Sequence, residues 1–235
     1  MKVAQIWRYP VKSLQGERVS QIEAGPYGLA GDRHWAIVDA ATGLALTARR
    51  EPALLYLSAA VVGSEVVITD VDGAVLANDV ALSANLGRPV RLVEAAAGVQ
   101  GKFENPMDIE TEAADSWITW EGPDGSFHDS GHSQLSLLGP ASLGDWEFRR
   151  FRANVLLDVG DEKDLLGASW RVGGATLNVG REIARCVMVT RPQPGGIDRD
   201  LDVLRTINRE RGGKLTVGAI VEAHGLISEG DELRS

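Results

Sequence analysis

"HWAIVDAATGLALTA", residues 34–48, reads as two short apolar arms meeting at Thr42-Gly43. Two such arms about a glycine-containing turn predict a β-hairpin. The same pattern continues in both directions. Residues 2–8 and 18–24 read as strands. "SAAVV" (58–62) and "VVITDVDGAVLA" (66–77), with a turn at Asp72-Gly73, extend the series, and "RPVRLVEA" (88–95) adds another strand. "SANLG" (83–87) reads as one short helical turn. Frequent Val and 27 glycines favour many short strands with tight turns over a helical bundle.

Residues 97–134 are polar and glycine-rich. They are expected to be a long connection with a loose helix or strand near "DSWITW" (115–120). In the second half, "SQLSLLGPASLGDW" (133–146) leads to a short helix that Ser142 is expected to cap. "RFRANVLLDVG" (150–160), "WRVGGATLNVG" (170–180), "ARCVMVT" (184–190), "VGAIVEAHG" (217–225) and "GDELRS" (230–235) read as strands. "DRDLDVLRTINRERGGK" (198–214) predicts a helix. Leu201, Leu204 and Ile207 fall on one side of it, acids stand at its start, arginines at its end, and Gly212 stops it. The sum is a mainly β chain of barrel-like antiparallel sheets with few short helices.

Composition excludes several classes. No apolar run approaches the roughly 20 residues of a membrane-spanning helix, and the N-terminus has no signal-peptide apolar region. A single cysteine cannot form an internal disulfide, so the cytoplasm is the expected compartment. A net charge of −9 argues against nucleic-acid binding, which depends on neutralising phosphates. No phosphate-binding glycine loop, nucleophile elbow or second cysteine appears. His128 and His132 stand four apart in a glycine-containing segment and lack a third zinc ligand.

The candidate chemistry lies at polar entrances to strands. Cys186 reads either as a buried core thiol or as a reactive one, since a neighbouring cation such as Arg185 favours thiolate. Lys12-Ser13 in "YPVKSLQG" (9–16) offers an anion cradle. Arg33 in "GLAGDRHW" (28–35) offers a planar fork for phosphate or carboxylate, or simply pairs with Asp32. Arg152 and Asn154 in "FRAN" (151–154) share a face if that segment is extended. Lys12, Arg33 and Arg152 at one barrel end would suit a small, multiply charged anion.

Taken in order, "YPVKSLQGE", "GLAGDRHWAIVD", "FRANVLLD", "RCVMVT" and "VLRTINRERGGKLTVGAIVEAHGLISEGDEL" resemble the MOSC family, proteins similar to the C-terminal domain of molybdenum-cofactor sulfurase. The likeness is to the two-part type, shared with the mitochondrial amidoxime-reducing component and its bacterial relatives. The resemblance implies an N-terminal MOSC-associated β-barrel domain over residues 1–98, packed with a β-barrel MOSC domain over 99–235, their boundary falling within 98–134. It implies a molybdenum cofactor, molybdenum on molybdopterin, with Cys186 as metal ligand and catalytic residue. Lys12, Ser13 and Arg33 fall on positions that hold the pterin and its phosphate. Arg152 falls on another cofactor contact, supported by Asn154, and Arg185 contributes by backbone or charge.

The implied function is reduction of N-hydroxylated or N-oxide small molecules, with electrons from an external ferredoxin or flavoprotein. The alternatives are a sulfur carrier, loaded on Cys186 as a persulfide by a separate pyridoxal-phosphate cysteine desulfurase, or a non-catalytic molybdopterin-binding module. The chain departs from the family pattern at Ala184, where a hydroxyl residue is frequent, and at Gly139-Pro140, where Ser-Thr is frequent. The Gly139 N–H is the expected substitute donor. The loop "RPQPGGIDRD" (191–200) also differs, which bears on substrate choice.

Overall fold

The computed structural model describes residues 1–106 and 117–235. The first half carries strands Val3–Arg8 (β1), Glu17–Val19 (β2), Gln21–Gly25 (β3), Gly28–Leu29 (β4), Trp35–Asp39 (β5), Ser58–Val62 (β6), Glu65–Thr69 (β7), Val90–Glu94 (β8), Gln100–Pro106 (β9) and Trp117–Asp124 (β10). The second half carries Leu135–Leu138 (β11), Val155–Leu157 (β12), Ala168–Val172 (β13), Ala175–Ala184 (β14), Lys214–Ala223 (β15), Gly225–Ser228 (β16) and Leu233–Arg234 (β17). Three α-helices are described, Asp79–Leu86 (α1), Pro140–Leu143 (α2) and Leu201–Arg211 (α3). The chain is mainly β, as the sequence pattern predicts.

The largest sheet has eight strands in the order β17-β13-β14-β15-β11-β12-β1-β2. All neighbours are antiparallel except β11 and β12. Its inner face packs Val3, Ile6, Leu137, Val155, Val179 and Val217 into one core. Sheet pairing crosses the expected division at 98/99. β1 pairs with β12, and β3 pairs with β16, so these strands fold with the C-terminal half, while Val11 and Gln15 between them bridge Trp35 and Ser58 of the first. Conversely β9 and β10 lie against the first half, where Phe103 bridges Ala45 and packs with Val38 and Phe127. A separate core gathers Val11, Leu14, Trp35, Leu54, Ile68 and Leu82, with Met188 from the second half packed against it.

Several local expectations change. Residues 18–24 break into two strands at Ser20, because one arm pairs with β1 and the other with β16. The hairpin arm after Thr42-Gly43 meets β5 only at Val38 and Ala45. The "SANLG" turn belongs to the eight-residue α1, capped by Asn78 at its start and Gly87 at its end. The connecting region contains the β9–β10 hairpin; Asp115 and Ser116 of "DSWITW" lie outside the described residues. Ser142 does not cap α2. Gly139 holds that position, and the Ser142 hydroxyl donates to Asp161 instead. "RFRAN" is a helical turn and a bend, with the strand confined to 155–157. "ARCVMVT" is not a strand: β14 ends at Ala184, and Cys186 precedes a 3₁₀ turn, Val187–Thr190.

α3 follows its capping signals, Asp200 before it and Gly212 after it. Its buried stripe is Val203 and Ile207, each 0% exposed, whereas Leu201 is exposed. Burial of each contributes about 1.5–3 kcal/mol. The helix thereby packs against the Val187–Thr190 turn and β15, bracing the segment that carries Cys186.

Candidate functional site

A cleft of about 330 Å³ opens between the two halves, within the size range of small-molecule sites. Lys12, Ser13, Arg33, Arg152, Asn154, Arg185 and Cys186 all line it, although they come from four separate segments of the chain. Seven basic side chains line the cleft against a single carboxylate, Asp129, in a chain whose net charge is −9.

The backbone here is unusual. Among the described residues, four non-glycine residues have positive φ: Ser13 (70°), Arg33 (49°), Arg152 (51°) and Thr216 (70°). Three line the cleft and the fourth bonds Arg185. Such conformations cost about 1–3 kcal/mol each and persist where the surroundings over-determine them, often at functional sites. Arg152 is therefore not extended, and it shares the cleft with Asn154 through the bend rather than through strand alternation.

The predicted residues divide by how their polar atoms are spent. Arg33 donates to Asp32, to Asn154 Oδ1 at 3.1 Å and to the Arg152 carbonyl at 3.2 Å. Asn154 is 1% exposed. Its Oδ1 also accepts from the Ser136 N–H at 3.1 Å, and its Nδ2 donates to the Trp7 carbonyl at 3.1 Å. Arg185 donates to the carbonyls of Leu215 (2.7 Å) and Phe151 (3.1 Å) and to the Thr216 hydroxyl. Burial lowers its pKa to about 10. These three side chains brace the cleft wall from behind. Ser13 is partly committed as well, its hydroxyl accepting from the Ala48 N–H at 3.0 Å.

Arg152 is less fully engaged. One Nη donates to the Leu14 carbonyl and the guanidinium lies 4.4 Å from the Tyr9 ring, but Nη2 is buried without a partner. Burial first, and Arg33 second, lower its pKa to about 10. The Tyr9 ring is shared by both guanidiniums, with Arg33 4.8 Å from its ring centre on the same cation–π footing. Its tight seat requires Gly16: a Cβ there would stand 2.6 Å from the ring and 2.3 Å from the Arg8 carbonyl.

Lys12 is 5% exposed. It donates to the Phe127 carbonyl (2.8 Å) and to Asp129 (2.7 Å), and it lies 4.0 Å from the Phe103 ring centre. Burial lowers its pKa, against the opposing pull of Asp129. Enclosure raises the Asp129 pKa, but Lys12, Arg49 and Arg33 outweigh it and hold that carboxyl far below the ordinary range. The Asp129 side chain itself is 65% exposed at the cleft mouth.

Cys186 is half-buried, and its Sγ accepts from Arg49 Nε at 3.4 Å. Arg49, Asp129, Tyr9 and Arg150 are site residues that sequence reasoning missed. Arg150 donates to the carbonyls of Val189, Arg191 and Asp198 and thereby pins the segment after Cys186. The only local signal for Arg49 is the basic pair in "TARREP" (47–52), directly after the hairpin.

Two departures from the family pattern gain a physical account. The Gly139 N–H is not a spare donor, because it is bonded to the buried Glu162 carboxylate at 2.9 Å. A Cβ at Gly139 would stand 2.4 Å from the Gly160 carbonyl, so a hydroxyl side chain does not fit there. Ala184 lines the cleft with a methyl group alone, so it offers no side-chain hydrogen bond there. His128 and His132 form no metal pair: the first is buried in the cleft wall, the second lines another cavity.

The donor set fits a metal that arrives in a carrier. Among the described residues no group of three or more His, Cys, Asp or Glu side chains is placed to hold a metal ion. The cleft instead offers one thiol ringed by cations and an unpaired guanidinium nitrogen. A soft thiolate suits a transition metal already held by sulfurs, and the cations suit a phosphorylated carrier. Among the described residues, no helix is long and apolar enough to cross a membrane.

Comparisons with known proteins agree with this architecture. The MOSC N-terminal beta barrel domain matches residues 1–120 and the MOSC domain matches residues 125–234. A molybdenum cofactor sulfurase of Drosophila willistoni is 27% identical over 247 residues, covering 91% of this chain and 30% of that protein. Mitochondrial amidoxime-reducing component 1 of Homo sapiens is 43% identical over 60 residues, covering 24% of this chain and 18% of that protein. The chain therefore spans less than a third of either relative's length. Among solved structures, the YuaD protein from Bacillus subtilis aligns over 99% of this chain and 93% of its own, with a TM-score of 0.43 and 13% identity. With both domain models matched in sequence order and together spanning nearly all of it, the chain belongs to the MOSC family, in the form that carries an N-terminal MOSC β-barrel domain.

Proposed function

We propose that this chain binds a molybdenum cofactor in the cleft through Cys186 and reduces N-hydroxylated or N-oxide small molecules. The observation that carries the reading is a single half-buried thiol at the edge of a cleft lined by seven basic groups and one acid. When bound, the cofactor would supply the oxygen-transfer redox chemistry that the amino acids lack. Cys186 would ligate the metal, with Arg49 Nε donating to its sulfur at 3.4 Å. Arg152 would give its remaining donor capacity to the cofactor's phosphate. Lys12 would reach the same anion by exchanging its bond to Asp129. Ser13 would contribute from the adjoining turn, while Arg33, Asn154 and Arg185 would keep the wall in shape. Electrons would come from an external ferredoxin or flavoprotein.

The test is metal and pterin analysis of protein from a cofactor-competent host, with benzamidoxime reduction by an artificial donor. The expected result is near-stoichiometric molybdenum and turnover. Cys186→Ala is expected to lose at least about tenfold in metal content, in line with removal of a metal ligand. Metal and pterin without turnover on any N-hydroxylated substrate would leave a binding module.

The second reading is a Cys186 persulfide carrier, favoured by the alignment with a molybdenum cofactor sulfurase across 91% of this chain. Mass spectrometry after incubation with a cysteine desulfurase and cysteine decides it, since that reading requires an added sulfur on Cys186.

A further inference from the structure

A second cavity of about 780 Å³ runs along the exposed side of β14 and β15, and Arg181 and Ala184 line both it and the Cys186 cleft. The two spaces therefore border each other at these two residues. The groove is furrowed by its small residues. Ala184 has only a methyl group, and a Cβ added at Gly180 would meet nothing closer than Asn178 Oδ1 at 3.6 Å. Its lining is biased toward positive charge, with Arg181 and Lys214 against Glu182. Glu182 is already engaged, by Lys163 at 2.9 Å and Lys214 at 4.0 Å. The Arg181 side chain has no hydrogen-bond or ion-pair partner among the described residues. Register irregularities fall on both sides of it in β14, between Val179 and Arg181 and between Glu182 and Ala184. Such bulges re-aim side chains and recur next to active sites.

We propose that this groove is a substrate subsite bordering the Cys186 cleft. It takes the carboxylate-bearing end of an N-hydroxylated substrate, with Arg181 as the anion-binding residue and Lys214 opposite Ala184 on the neighbouring strand. The proposal rests on the function proposed above and adds a substrate class to it. A guanidinium fork matches a carboxylate in two parallel bonds, and a substrate lying along the furrow would reach from that fork into the cleft over Ala184.

Two measurements test it. The first compares kcat/KM for 4-carboxybenzamidoxime and benzamidoxime in cofactor-loaded protein and in Arg181→Ala. A preference of about fivefold for the carboxylate is expected, falling with added salt and lost in the variant, the size expected of a solvent-accessible charged contact. The second follows NMR shifts of the Arg181 side chain and the Gly180 amide as 4-carboxybenzamidoxime is added to cofactor-free protein. Saturable shifts, absent with benzamidoxime, support the subsite. If those shifts occur but no amidoxime is reduced, the proposed function fails and the anion subsite stands. If both substrates are reduced equally, and neither shift nor preference depends on Arg181, the subsite is overturned. It is equally overturned if Arg181→Ala changes only the salt dependence of reduction by an acidic donor protein, because the groove then docks the donor.

Discussion

Glu162 and Arg152 are both charged groups withdrawn from water, and they are finished differently. Glu162 is 0% exposed, and its carboxylate accepts from the N–H groups of Gly139 (2.9 Å) and Thr216 (3.1 Å) and from Arg211 (3.5 Å). It ties α2, β15 and the end of α3 into one frame. Thr216 in turn bonds Arg185, the residue before Cys186. Arg152 has a carbonyl and an aromatic ring on one side and an unpartnered Nη2 on the other. Buried polar groups are normally satisfied, so one that is not marks either stored strain or a place for a ligand. A closed network sets backbone geometry, and an incomplete one beside it keeps binding capacity in reserve.

The largest expected effect tests the closed side. Glu162→Ala should destabilise the fold by about 3–5 kcal/mol, because it strands a partly buried arginine and two backbone donors. The urea midpoint reports it. A change no larger than that of Lys163→Ala would break the contrast.

The next effect concerns His128, 5% exposed and lining the cleft, with Nε2 unpartnered. Burial lowers its pKa to about 4 from an ordinary 6.5. Between those values the unfolded chain binds a proton that the folded chain does not, so stability falls as pH drops from 6.5 toward 4 and levels off below. The loss is about 3 kcal/mol at the lower limit. His128→Leu should flatten the thermal midpoint over that window. Carboxylates such as Asp39, held at about 2, lose their contribution at lower pH. An unchanged slope in the variant would remove His128 from the open side of the comparison.

The smallest effect on stability sharpens the contrast. Arg152→Met should stay within about 1 kcal/mol of the parent, since it also relieves repulsion from Arg33, yet lower cofactor retention about tenfold, as loss of a charge-assisted contact would. Stability and binding are read separately, by urea titration and by pterin content. A variant that unfolds but keeps its pterin would reverse the assignment.

Much of this was written locally. The turn at Asp72-Gly73, the acids at the start of α3 and its end at Gly212 follow from residue types whose backbone preferences act within a few positions. The polar entrances that drew attention to Lys12, Arg33, Arg152 and Cys186 are visible as breaks in apolar runs. What each polar atom bonds to is another matter. Beyond the adjacent Asp32, the sequence does not show that the donors of Arg33 and Arg185 go to backbone carbonyls, a hydroxyl and the Asn154 amide oxygen, up to 121 residues away. Arg49 lies 137 residues from the sulfur it touches, and nothing within its own segment marks the meeting.

By itself, the amino-acid sequence determined a mainly β chain, its turns, its one amphipathic helix and the residue types available for an anion and a soft metal. Period and turn chemistry are local properties, so they survive without the fold. Only the tertiary structure decided that β1 and β3 join the C-terminal sheets, that the predicted residues of four distant segments meet at the Cys186 cleft, and which cations are braces and which retain donors. Those outcomes depend on hydrogen-bond partners chosen across the whole chain, where geometry, not residue type, settles the pairing.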